Sequence, residues 1–216
     1  MSIPAGCVLP VSREAVPVPG CTVSEALLPG SNAITDFIMA AGTDISAELY
    51  PCHKLITVES GSLIVTVDGQ AHGLAAMQSI LTPCDVPVGT IAYYNAAYSE
   101  ILIRRNSIMN SNVTIGEVFS LKDLIPVQPG RIVNMDVAHN DTMKLALMAF
   151  DAGTGLDSHA APGDAIIFAL EGEGIIVYEG VEHPIKAGEN FRFTKGGMHA
   201  VKADSPFKMA LLLVLA

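Results

Sequence analysis

Short runs of apolar or alternating residues recur along the whole chain, each closed by Gly, Pro, Asp or Asn. A period of two places successive side chains on opposite faces, so these runs predict strands. Two are especially clear. Ser62–Val67 leads into Asp68-Gly69, and residues 174–178 lead into Glu179-Gly180. Gly tolerates the positive φ of a tight two-residue turn, so both predict hairpins. Further strands are expected at 34–40, 54–58, 79–81, 101–104, 131–137, 143–150, 165–170, 190–193 and 207–215. Helical periodicity is weak, with short helical stretches expected only around 24–28 and 120–124. Many short strands separated by turns predict an all-β sandwich or barrel.

The pattern repeats. With an offset of 111 residues (153 − 42), Ala41-Gly42-Thr43 falls on Ala152-Gly153-Thr154 without a gap. In the same register Pro51 falls on Pro162, Ile56 on Ile167, Gly61 on Gly172, Gly69 on Gly180 and His72 on His183. Pro19-Gly20 and Pro129-Gly130 match with a one-residue gap, so the repeat begins near the N-terminus. Two tandem copies of one β unit are expected, spanning 1–106 and 107–216, with a polar join around 105–113.

Composition narrows the function classes. Half of the 216 residues are hydrophobic and 16% are charged, enough apolar material for a core. The net charge is −10 and no basic cluster occurs, so neither nucleic acid nor an anionic membrane is an expected partner. Apolar runs such as Met209 to Ala216 are far shorter than the about 20 residues of a bilayer span. The N-terminal Met-Ser-Ile-Pro-Ala-Gly-Cys has no basic start and no apolar stretch, and four cysteines without CxxC spacing predict reduced thiols. A cytoplasmic protein is the expectation.

The second copy carries two motifs. In the first, Gly153 is followed by five residues and His159, and the motif closes on Gly172 within Phe168-Ala-Leu-Glu-Gly-Glu-Gly174. In the second, Gly188 is followed by five residues, Thr194-Lys-Gly196, two residues and His199. These resemble the two motifs of the cupin family, with Thr194 in place of a proline. The resemblance is strong over residues 143–216. It reaches the first copy through the repeat and through Val58-Glu-Ser-Gly-Ser-Leu-Ile-Val-Thr-Val-Asp-Gly69. It implies two tandem double-stranded β-helix (jelly-roll) barrels, a bicupin, and allows a homodimer. In metal-binding cupins, His-x-His on one strand, a Glu and a third His form a facial set around iron, manganese, nickel or zinc.

Several positions depart from that set. With His159 first, the second His position holds Ala161 and the Glu position Ala165. A shifted register offers Asp157, His159, Asp164 and His199, with Asp164 one residue off the family spacing. The resemblance therefore implies His159, His199 and Asp164 as metal candidates, and Asp157, Phe168 and Phe193 as candidates for lining a ligand pocket. In the first copy the corresponding positions hold Glu48, Tyr50, Lys54 and Val88, so no metal set survives there. A structural role is expected for that copy, with a small-molecule pocket at Glu48, Tyr50 and Lys54 as the alternative.

His72 and His183 follow hairpin turns and are expected in turn or surface roles. His139 is expected in a polar turn, His53 in a structural role, and the aromatic residues mainly in core packing. Beside a purely structural dimerisation scaffold, two functions stay open. One is binding of a small polar ligand through a divalent metal, with isomerase, oxygenase or lyase chemistry on a small acid or sugar if the protein is an enzyme. The other is metal-free ligand binding or sensing, with His159 and His199 hydrogen-bonding the ligand.

Overall fold

The computed structural model describes residues 4–10, 16–28 and 33–215. Parts of the N-terminal heptapeptide and the last residue of the closing apolar run lie outside them. In chain order the strands are β1 (Val8–Pro10), β2 (Thr22–Ala26), β3 (Ile34–Met39), β4 (Thr43–Leu49), β5 (Cys52–Ser60), β6 (Ser62–Val67), β7 (Gln70–Ala75), β8 (Ser79–Leu81), β9 (Pro87–Ala92) and β10 (Ala96–Arg104). They continue with β11 (Ile108–Met109), β12 (Val118–Phe119), β13 (Ile132–His139), β14 (Met143–Phe150), β15 (Thr154–Ala160), β16 (Asp164–Tyr178), β17 (Val181–Lys186), β18 (Glu189–Phe193), β19 (Met198–Ala203) and β20 (Phe207–Val214). One 3-10 turn, Leu121–Leu124, forms where a helical stretch was expected. The other expected stretch, 24–28, instead comprises the end of strand β2 with Leu27 and Leu28, because Thr22 to Ala26 pair in register with Thr35 to Met39. Among the described residues no helix is long and apolar enough to cross a membrane.

Two compact units result, one built on Glu14–Ser107 and Ser111–Ser120, the other on Ile3–Arg13, Ile108–Asn110 and Leu121–Ala216. The chain passes between the units after Ser107, after Asn110 and after Ser120. In the first unit a six-stranded sheet (β12-β8-β5-β10-β3-β2) accompanies a four-stranded one (β4-β9-β6-β7). Ile56, Val58, Leu63, Val65, Leu74, Ile80 and Tyr98 fill its core. In the second unit the long β16 serves both sheet faces. Its first half pairs with β18 and β20, and its second half with β17 and β19. Met148, Phe150, Ile167, Ile176, Phe191, Phe193 and Phe207 fill that core.

The pairings obey the repeat. Glu48↔Val88 in the first unit becomes His159↔His199 in the second, with the same bulge just before it (Ile45/Glu48 and Leu156/His159). Val67↔Val88 becomes Tyr178↔His199. Both hairpin turns have two consecutive positive φ angles, at Asp68-Gly69 and Glu179-Gly180, as type I′ turns require. The one-residue gap at Pro19/Pro129 persists, since Thr22↔Met39 becomes Ile132↔Phe150. Even the edges correspond: Val118↔Ile80 closes one sheet of the first unit and Val8↔Phe191 one of the second. Val8 precedes Val118 by 110 residues and Ile80 precedes Phe191 by 111. One edge strand of each unit therefore comes from the other copy of the repeat.

Candidate functional site

β15 and β19 of the second unit run antiparallel, so His159 and His199 face each other across one strand pair. Their ring centroids are 4.2 Å apart at 53°. Phe193 stacks on His199, at 4.2 Å and 28°. His199 is buried and His159 exposed, so the stack leads from the core to the surface. The Nδ1 atom of His159 lies 2.8 Å from the Asp157 carbonyl, and that of His199 lies 3.3 Å from the Gly197 carbonyl. A carbonyl only accepts, so each Nδ1 carries the proton. In the neutral rings Nε2 is then the nitrogen with a lone pair to offer.

Tyr178 completes this corner and was not singled out from the sequence. It ends β16 opposite His199, and its hydroxyl lies 2.9 Å from Thr194 Oγ1. The ring sits edge-on to Phe191, 5.7 Å away, and a Cβ on Gly197 would press into it. Thr194, where the family motif has proline, gives the Tyr178 hydroxyl a polar partner. The only sequence signal was a Tyr closing a strand where the first copy has Val67.

The other candidates do not join the pair. On β16 the core-facing residues are Ala165, Ile167 and Ala169, so Asp164 and Phe168 belong to the opposite face. Asp164 is already engaged: its Oδ1 accepts the Lys195 backbone N–H at 2.9 Å and its Oδ2 faces Arg192 Nη2 at 3.5 Å. Asp157 is exposed in the bulge before His159. It lines a shallow groove of about 490 Å³ with Ser158, Val201 and Lys202, which includes neither histidine. Of the three pocket candidates, Phe193 stacks on His199, Asp157 reaches the pair only through its backbone carbonyl, and Phe168 belongs to the opposite face. His139 is the end of β13 rather than a turn residue, 3.8 Å from Asp136 Oδ2, because Asn140 Oδ1 organises the turn one residue later.

A resident divalent ion typically takes at least three side-chain donors. Here two imidazoles stand together, Ala161 and Ala165 are buried apolar neighbours, and the Asp164 carboxylate is held elsewhere. Among the described residues no three His, Cys, Asp or Glu side chains gather. The donor set does not fit a metal held in that way.

The first unit has a different polar cluster at the equivalent place. Tyr50 donates to Glu48 Oε2 at 2.7 Å, Lys54 Nζ lies 3.2 Å from the centre of the Tyr50 ring, and the same Nζ pairs with Glu100 Oε1 at 3.1 Å. The hydrogen bond to Glu48 and burial push the Tyr50 hydroxyl up to about 12, so it stays protonated. Lys54 and Glu100 are both buried.

Burial lowers the pKa of His199 below the usual histidine range, the Gly197 carbonyl partly opposes this, and His159 adds to it. The ring is neutral at neutral pH. Because the unfolded chain binds this proton more readily, the contribution of His199 to stability is complete above about pH 6.5 and is lost as the pH falls through its folded-state pKa. Urea midpoints at pH 7.5 and pH 5 test this: the drop in the wild type should shrink in His199→Phe, and an equal drop would refute it.

Known proteins share this architecture. Residues 146–215 match the cupin domain family model. A "Cupin 2 conserved barrel domain protein" from Leptotrichia buccalis superposes with a TM-score of 0.86 at 23% identity, covering 98% of each chain. Salicylate 1,2-dioxygenase from Pseudaminobacter salicylatoxidans superposes with a TM-score of 0.63 at 13% identity, covering 89% of this chain and 76% of that one. No curated protein matches in sequence. At these identities the two structures establish a shared fold.

Proposed function

We propose that this member of the cupin superfamily binds a small polar ligand in its second unit, directly through the imidazoles of His159 and His199. The observation that carries this reading is the pair itself: two rings 4.2 Å apart on adjacent strands, each with Nδ1 turned to a carbonyl. Each ring, when neutral, offers an Nε2 lone pair to a ligand that presents a hydroxyl or an acid proton. Phe193 stacks on the buried ring, while exposed His159 meets the ligand first. Burial disfavours charge on His199, so that ring serves as a neutral acceptor.

The test is a thermal-shift and NMR titration of hydroxy acids and polyols against the full chain with labelled histidine rings. Ligands that stabilise the protein should move the Nε2 resonances of His159 and His199, and should lose binding at least tenfold in His159→Ala and in His199→Phe. Hits unaffected by both substitutions would refute the site. Elemental analysis of protein purified without tag or chelator is the second arm. Near one metal per chain, lost in His159→Ala/His199→Ala, would overturn the metal-free reading.

A further inference from the structure

Two of the four cysteines meet in the first unit. β5 pairs with β8 so that Ile56 faces Ile80 and Leu55 faces Leu81. The pairing continues past β8: Thr82 N–H donates to the Lys54 carbonyl at 2.9 Å, and Asp85 N–H to the Tyr50 carbonyl at 2.8 Å. Only Pro51, Cys52 and His53 on one side, and Pro83 and Cys84 on the other, lie between these two hydrogen bonds. Carrying the register on places Cys52 opposite Cys84. Opposed residues of an antiparallel pair have Cα atoms about 4.5–5.5 Å apart. A disulfide spans about 4.4–6.8 Å between Cα atoms. Both thiols are free and half-buried, whereas Cys7 and Cys21 are exposed.

The electrostatics agree with this proximity. Burial raises the pKa of the Cys52 thiol, Lys54 pulls it back, and Cys84 and Glu100 push it up further. The second unit has the same frame, since Gly196 N–H donates to the Ala161 carbonyl at 2.8 Å. There the two cysteine positions hold Gly163 and Lys195. The frame belongs to the fold, and the dithiol is particular to the first unit.

We propose that Cys52 and Cys84 form a reversible disulfide that fastens the start of β5 to the β8–β9 connection, beside Tyr50 and Lys54. The oxidant is a low-molecular-weight disulfide. A cysteine thiolate attacks one of its sulfurs and expels the first thiol, giving a mixed disulfide. The neighbouring cysteine, as thiolate, attacks the protein sulfur of that bond and expels the second thiol. The two cysteines lose two electrons and two protons, and the oxidant becomes two thiols. Within such a compact frame the second step outruns trapping of the mixed disulfide.

Incubation of the native full chain with excess oxidised glutathione tests this, followed by alkylation and peptide mapping. The expected result is loss of two hydrogens from the Cys52/Cys84 pair, a crosslinked peptide containing both, and recovery of both thiols with dithiothreitol. Cys84→Ser should instead accumulate a stable glutathione adduct on Cys52, and Cys52→Ser one on Cys84. Alkylation of both thiols after oxidation, or persistent glutathione adducts on the wild-type pair, would overturn the proposal.

Discussion

Lys54→Met destabilises the first unit by about 3–5 kcal/mol, whereas Lys54→Met/Glu100→Leu returns to within about 1–2 kcal/mol of the wild type or exceeds it. The single substitution leaves the Glu100 carboxylate buried without its cation and removes the ammonium from the Tyr50 ring. The pair itself contributes little net stability. Burial raises the Glu100 pKa above the usual carboxylate range although Lys54 pulls it down, so attraction does not offset desolvation. The second unit supports the apolar replacement: the positions of Lys54 and Glu100 hold Ala165 and Leu211 there, within or against its core. Urea unfolding of the single and double variants, followed by circular dichroism, measures the coupling. A double variant as unstable as Lys54→Met would show that the ion pair itself holds the unit together.

Legibility from sequence differed sharply between fold and site. The hairpins at Asp68-Gly69 and Glu179-Gly180, and the core strands β14 and β16, announce themselves through local chemistry: turn glycines and apolar runs act within a few residues. Strands β4 and β15 do not, because Thr43–Leu49 and Thr154–Ala160 are mostly exposed and polar. The histidine pair was legible because both motif positions are histidine and the strand register brings them together. Asp164 misled because spacing along the chain does not report which face of β16 a side chain takes. One residue of slip moves it away from Ala165 and towards Lys195 and Arg192. Tyr178 was hidden for a related reason. Its importance comes from Thr194 and Gly197, which lie far along the chain and reach it only through the folded pairing.

Gly172→Ala costs more than about 3 kcal/mol, and Gly180→Ala only about 1–2 kcal/mol, although both glycines have φ well above zero. Gly180 sits at the tip of the β16–β17 hairpin, where an added Cβ meets nothing within 4 Å. Its penalty is the left-handed backbone alone. At Gly172 a Cβ would drive into the backbone carbonyl of Pro206, which cannot rotate away as a side chain would. The residue lies at the irregularity where β16 leaves the pairing with β20 and turns towards β17, so relief of the clash must pull the two strands apart. The repeat supplies an internal replicate. Gly61 has the same φ of 74° and a Cβ there would strike the Asn95 carbonyl, at the equivalent connection between β5 and β6. Gly61→Ala should therefore behave like Gly172→Ala, and Gly69→Ala like Gly180→Ala. Chemical denaturation of the four variants should separate them into these two pairs. Equal losses across all four would assign the whole penalty to backbone conformation and remove the close approach as a cause.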